Sequence, residues 1–291
     1  MRSHQYPSLG RVYFPPAARA EIDFIYNEIF RDREYLQQGV TLRPGDTVFD
    51  VGANVGVFSL FVARECRQEF TLYCIEPIPE TYRCLRLNLS RHPSHPAARF
   101  VLFNQGLTKL GGRQWAEFTY FPGAPGNSTM FPTEKKAIFQ HMTSDRSELM
   151  NRLIDWNPLR LPAPWITYRI LSPFVFRRLD KVTSAFRDSQ RIRCQLTTIA
   201  AICQEHEVQN IDLLKVDVEG SELEILEGMD DRAWEITRQV VLEVHDVDGR
   251  VASIKSLLEA HGLVNIAVVK PNWADILDLN AYTIYAQRRT Q

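Results

Sequence analysis

Asp50-Val51-Gly52-Ala53-Asn54-Val55-Gly56 follows a short apolar run and opens an apolar-periodic segment over residues 57–66. A strand, a glycine turn and a helix in that order form a nucleotide-binding turn. Gly52 and Gly56 can adopt backbone angles closed to other residues and leave no Cβ between chain and ligand. A helix that begins near Val55 aims free N–H groups into the same space. The turn reads Gly-x-Asn-x-Gly, whereas dinucleotide enzymes seat a pyrophosphate on Gly-x-Gly-x-x-Gly. An amide at Asn54 suits a ligand with carboxylate and amino groups better than a diphosphate, which favours S-adenosylmethionine over NAD.

Residues 71–75 read as a buried strand ending at Glu76, ahead of Pro77 and a helical pattern with Tyr82, Leu85 and Leu89 on one face. Glu76 stands about 20 residues beyond the turn, at a strand's carboxyl end, where nucleotide-binding α/β folds place an acid for the ribose hydroxyls. Residues 212–217 and 239–243 are two more strands, the second running into Val244-His245-Asp246. Residues 100–107, 266–269 and the alternating 282–286 bring the set to seven. Helical spacing lies between them, at Leu223, Leu226 and Met229 and over residues 251–258. This alternation predicts an α/β fold, a mostly parallel sheet with helices on both faces. Ligands then bind at the strands' carboxyl ends, where Asp50, Glu76, Asp217 and His245 all fall.

The set Asp50-x-Gly52-x-Asn54-x-Gly56, Glu76-Pro77 and, above all, Leu214-Lys215-Val216-Asp217-Val218-Glu219-Gly220-Ser221-Glu222-x-x-x-Leu226-x-Gly228 resembles the FkbM-type methyltransferases. The resemblance covers residues 40–120 and 190–287, and the Lys-x-Asp-x-Glu-Gly-x-Glu run is its specific part. It implies a class I, Rossmann-like fold on a seven-stranded sheet closed by a hairpin with one antiparallel strand. It also implies S-adenosylmethionine as cofactor, held by Asp50, Gly52, Asn54, Gly56, Glu76 and Asp217, with Asn104 and Gln105 beside the adenine. The implied reaction is O-methylation.

With 291 residues the chain buries a core easily and could be one large domain or two small ones; nothing forces a second, and the resemblance implies a single methyltransferase domain over 1–291. A net charge of −1 gives no long-range argument for nucleic acid. The five cysteines have no Cys-x-x-Cys spacing and mostly apolar neighbours, which fits reduced thiols in a cytoplasm. The N-terminus lacks the apolar core of a signal peptide, and no apolar run reaches the roughly 20 residues that span a bilayer. Residues 1–40 read as an N-terminal helical cap, with a helix over 17–30 at the sheet edge or the cofactor mouth.

Residues 123–195 form an insertion with twelve Lys and Arg against six Asp and Glu, a surplus of +6 that leaves −7 for the rest. Within it, residues 133–154 predict an amphipathic helix. A proline-broken aromatic run follows, from Trp156 through Trp165, Tyr168, Phe174 and Phe176 to Arg177-Arg178. Three readings compete: a packing layer or homodimer contact; a lid whose basic face receives an anionic handle such as the phosphopantetheine of a carrier protein; and attachment to an anionic membrane surface. Just inside it, Asn127, Ser128 and Thr129 sit in a glycine- and proline-punctuated loop and are candidates for the acceptor pocket, with Glu243 as a further substrate contact.

Methyl transfer from a sulfonium is an in-line displacement, so the protein must hold donor and acceptor in line and take the acceptor's proton. His245 is the best-placed base, with Glu243 or Asp246 to orient its ring. Asp217 faces the methionine amino group or the acceptor, and Glu219 is a second base or a hydroxyl ligand. An alternative gathers Asp217, Glu219, Glu243 and His245 into a magnesium or manganese site; a metal-free mechanism is favoured. The reading is an O-methyltransferase acting on a free or carrier-tethered polyketide- or peptide-type metabolite. Its rivals are a sugar hydroxyl in a surface glycan and a non-catalytic module that retains the cofactor fold.

Overall fold

The computed structural model describes residues 1–67, 69–91, 97–137, 185–186, 188–276 and 279–289. The chain opens with an antiparallel hairpin, β1 (Arg2–Tyr6) and β2 (Gly10–Phe14), which the sequence reading did not foresee in the N-terminal cap. The expected helix follows as α1 (Arg19–Phe30) and packs on α2 (Val57–Glu65).

Strands β3 (Asp46–Val51), β4 (Phe70–Ile75) and β5 (Ala98–Phe103) pair in parallel. Between β4 and β5 runs α3 (Pro79–Ser90), which starts on a proline at its first turn, and after β5 the chain leaves the main sheet. It builds a three-stranded sheet from β6 (Gly106–Leu107), β7 (Trp115–Tyr120) and β8 (Gln190–Thr197), so the insertion starts just after β7 and its last residues, 190–195, belong to β8. The chain returns through α4 (Ile199–Glu205), capped by the Thr198 hydroxyl, to β9 (Leu213–Asp217), α5 (Glu222–Leu226) and α6 (Asp231–Glu235). It then runs through β10 (Gln239–His245), α7 (Arg250–Ala260), β11 (Leu263–Val269), α8 (Asn272–Ile276) and β12 (Ala281–Arg288).

The main sheet has the order β11-β12-β10-β9-β3-β4-β5, with β12 antiparallel to both neighbours and β9 parallel to β3 and β10. This is the mostly parallel seven-stranded sheet with a closing hairpin that the sequence predicts. Its central strands are mainly apolar because both faces are covered. Val48, Leu72 and Cys74 face one core with α2, while Phe49, Val51, Tyr73 and Val216 face the other with α4, α6 and α7. All five cysteines are buried free thiols.

Among the described residues no helix is long and apolar enough to cross a membrane. The expected amphipathic helix is described only as helical residues 132–137. The rest of it and the aromatic run Trp156 to Arg178 lie outside the described residues.

Candidate active site

The carboxyl ends of β3, β4, β9 and β10 open on a cavity of about 880 Å³, roofed by α1 and the loop over residues 123–130. At its floor the glycine turn is fixed by the chain's own packing. Gly52 has φ +76°, and a Cβ there would overlap the Asp217 carbonyl oxygen. Asn54, at φ +50°, occupies the left-handed region that asparagine tolerates. Both polar atoms of its side-chain amide are buried without a hydrogen-bond partner, and the residue lines the cavity. The Glu76 carboxylate accepts from the backbone N–H of Asn54 at 3.0 Å and of Ile78 at 2.8 Å. Burial pushes this acid up to about 7, against the pull of those two N–H groups.

Asp50 is fully buried and does not line the cavity; it accepts from the Ser59 hydroxyl at 2.6 Å and pairs with Lys215 Nζ at 3.1 Å. Lys215 also reaches Asp217 at 3.4 Å and donates to the Gly52 carbonyl at 3.0 Å. Its amine is therefore buried beneath the turn, and the residue borders the cavity. Asp217 borders the cavity and accepts from the Tyr35 hydroxyl at 2.9 Å. Gly56 lies behind the cavity wall as the N-cap of α2, with Leu85 packed where its Cβ would be.

The register of β9 with β10 sets Glu243 opposite Asp217. Two residues further along each chain, His245 meets Glu219. His245 Nε2 lies 2.9 Å from Glu219 Oε2, and Lys135 Nζ lies 2.5 Å from that same oxygen. Burial alone would raise the Glu219 carboxyl, but Lys135 and His245 outweigh it and hold it at about 2. The carboxylate that orients the histidine is thus Glu219, in place of Glu243 or Asp246. Asp246 instead accepts from the Val251 N–H at the start of α7. Glu243 lines the cavity, and burial, reinforced by the negative charges of Asp217 and Glu219, drives its carboxyl well above the ordinary range.

Asn127, Ser128 and Thr129 also line the cavity, but their donors are already committed. Asn127 donates to Glu21, Ser128 to the Pro125 carbonyl and Thr129 to the Glu219 carbonyl. Asn104 gives its amide N–H groups to the Glu76 and Pro77 carbonyls, and neither it nor Gln105 lines the cavity. Among the described residues no group of three or more His, Cys, Asp or Glu is disposed to hold a metal, so Asp217, Glu219, Glu243 and His245 are not gathered as a ligand set.

Residues 50–265 match the family model of the methyltransferase FkbM domain, three quarters of the chain. The chain belongs to the FkbM methyltransferase family. One FkbM-family relative is the 31-O-demethyl-FK506 methyltransferase FkbM of Streptomyces tacrolimicus, 33% identical over 87% of this chain and 86% of its own length. Methyltransferase 1 of Beauveria bassiana is 29% identical over 95% and 94%. The AMB antimetabolite synthetase AmbE of Pseudomonas aeruginosa is 30% identical over 83% of this chain but only 10% of its own length. A solved FkbM methyltransferase from Methylobacillus flagellatus aligns with a TM-score of 0.51 at 13% identity, covering 90% of this chain and 47% of that one, a likeness of fold.

Around this FkbM-type site, several acids and bases escaped the sequence reading. Among them are Lys135, Glu21, Glu28 and Tyr35, all on the cavity wall. Glu21 accepts from the Gly126 N–H and the Asn127 amide, and burial pushes it up to about 8. The partners of Lys135, Glu21 and Tyr35 lie far away in sequence, so no local spacing announces the contacts. Only the apolar periodicity of α1 hinted that its polar positions face something.

Proposed function

We propose that this chain methylates a hydroxyl oxygen of a polyketide- or peptide-type metabolite, with S-adenosylmethionine as donor. The observation that carries the reading is the Glu219–His245 pair, placed in the same cavity as the glycine turn and Glu76. The cavity suits the donor: Asn54 presents an unpartnered buried amide, and Glu76 presents an acid at the end of β4. Bound there, S-adenosylmethionine supplies an electrophilic methyl group.

The chain's own residues do the rest. Glu76 accepts from the ribose hydroxyls, and Gly52 and Asn54 let the backbone approach the methionine portion. Asp217, held by Tyr35 and Lys215, faces its amino group. With Nε2 2.9 Å from a carboxylate oxygen, we assign His245 the tautomer protonated at Nε2, since two acceptors would repel. Nδ1 is then the atom that takes the acceptor's proton, and the imidazolium so formed rests against an ionised Glu219. The similarity to an enzyme named for 31-O-demethyl-FK506 supports a hydroxyl acceptor. The match to a short part of a synthetase supports acceptors tethered to a carrier.

The test is methyl transfer from labelled S-adenosylmethionine to hydroxylated metabolites, beginning with 31-O-demethyl-FK506, with the product bond identified by mass spectrometry. A methyl ether that forms roughly 100-fold or more slowly with His245→Ala is expected. Label recovered only as an ester or an N-methyl group would sink the reading.

A further inference from the structure

Two groups converge on one oxygen of Glu219: His245, the base proposed above, and a lysine from the insertion. Lys135 is buried, and its ion pair with Glu219 Oε2 is among the shortest polar contacts of the cavity. The helical turn that carries it is seated on the same loop by independent contacts. Thr129 Oγ1 donates to the Glu219 carbonyl at 2.6 Å, and Phe131 packs over Gly220. Glu134 takes Arg250 Nη2 at 3.0 Å, while Arg250 Nη1 donates to the His245 carbonyl at 2.9 Å. The start of the insertion therefore grips both the β9–α5 loop and the end of β10.

We propose that Lys135 is a positioning residue for the base: by clamping the Glu219 carboxylate it fixes the imidazole proton on Nε2 and leaves Nδ1 turned to the acceptor. The proposal rests on His245 being that base. The chemistry follows from what Glu219 becomes without its cation. A buried carboxylate that loses a neutralising partner takes up a proton. A neutral carboxyl then donates to the ring nitrogen it faces, so Nε2 turns from donor into acceptor and the proton moves to Nδ1. The ring would stand in the same place with the wrong atom protonated. Other charges near the histidine are engaged elsewhere: Glu222 with the Gly220 N–H and Arg250, Glu134 with Arg250, and Asp217 with Tyr35 and Lys215. Glu243 sits across from Asp217 on the same wall. Among the described residues, the ion pairs of Glu219 are those with Lys135 and His245.

The experiment is nitrogen-15 NMR of the histidine side chains in the S-adenosylhomocysteine-saturated protein, with the His245 signals assigned by their loss in His245→Ala. Wild type is expected to show a protonated Nε2 and an unprotonated Nδ1. Lys135→Met should move that pattern to a mixture or to the opposite tautomer while S-adenosylhomocysteine affinity stays within about twofold. Lys135→Arg, which keeps the charge, should restore the wild-type pattern. An unchanged pattern in Lys135→Met would overturn the proposal, and so would a changed pattern that Lys135→Arg leaves unrestored. Because the spectrum needs no turnover, it separates this proposal from the base assignment, which fails alone if His245→Ala keeps the wild-type rate.

Discussion

Replacing Lys215 with methionine should cost about 4 kcal/mol of stability at pH 7, and the cost should shrink in acid. Lys215 is 2% exposed and Asp50 is fully buried. The 3.1 Å ion pair and the 2.6 Å bond from Ser59 are the polar contacts that hold the Asp50 carboxylate. Without the ammonium, Asp50 must either remain charged in an apolar setting or take up a proton on folding. Breaking a buried pair by removing one partner costs about 3–5 kcal/mol. Protonating an ordinary aspartate at pH 7 costs about 4 kcal/mol, roughly three pH units at about 1.36 kcal/mol each. The two routes agree, and the cheaper one sets the limit. The loss at Asp217 adds little, because that side chain is 31% exposed and keeps the Tyr35 hydroxyl.

Sign and window follow by linkage. In the variant the folded state holds a proton that the unfolded chain releases above about pH 4, so stability falls as pH rises. The difference from wild type should drop to about 2 kcal/mol at pH 5.5. Urea unfolding followed by circular dichroism at pH 7 and pH 5.5 measures it, and the melting temperature should fall by roughly 8–16 °C at pH 7. Asp50→Asn combined with Lys215→Met should recover most of the loss. A single-variant cost below about 1 kcal/mol, or one equal at both pH values, would refute the buried-pair reasoning.

Gly52→Ala should abolish S-adenosylhomocysteine binding and lower the melting temperature, because a side chain there meets the Asp217 carbonyl at φ +76°; a variant that binds normally would show that the turn can shift. Glu76, pushed up to about 7 by burial, can accept from both ribose hydroxyls at once only when ionised. Calorimetric affinity should therefore fall about tenfold per pH unit below that point and flatten above it, whereas Glu76→Gln should bind weakly at every pH. Stripping with a chelator and adding back magnesium should leave methyl transfer unchanged; activity restored only by the metal would contradict a proton path through His245 alone.

The main sheet was legible because its strands are covered on both faces and so appear as continuous apolar runs, such as Thr71 to Ile75. The small sheet was not, although β8 carries a period of two: Cys194 and Leu196 are buried while Arg193 and Gln195 are exposed. Its charged face resembles the rest of a basic insertion, and its partner β7 lies some 70 residues upstream. The place of Glu76 beside the glycine turn was legible because its distance from the turn is set by a βαβ unit of standard length. Lys135 left no such trace. It reads as one polar position of an amphipathic helix, and the Glu219 it grips comes from another strand end. The partner of His245 was misplaced for a related reason. Glu243 and Asp246 are neighbours in sequence, but strand register delivers Glu219.

The central claim is that the cavity over the glycine turn holds S-adenosylmethionine through Glu76. Calorimetric titration of wild type and Glu76→Gln with S-adenosylhomocysteine at pH 8 tests it most directly. One site per chain, weakened about tenfold or more in the variant by loss of a charged acceptor worth about 1.5–3 kcal/mol, is the expected result. No binding to the wild type, with NAD bound tightly in its place, would contradict it.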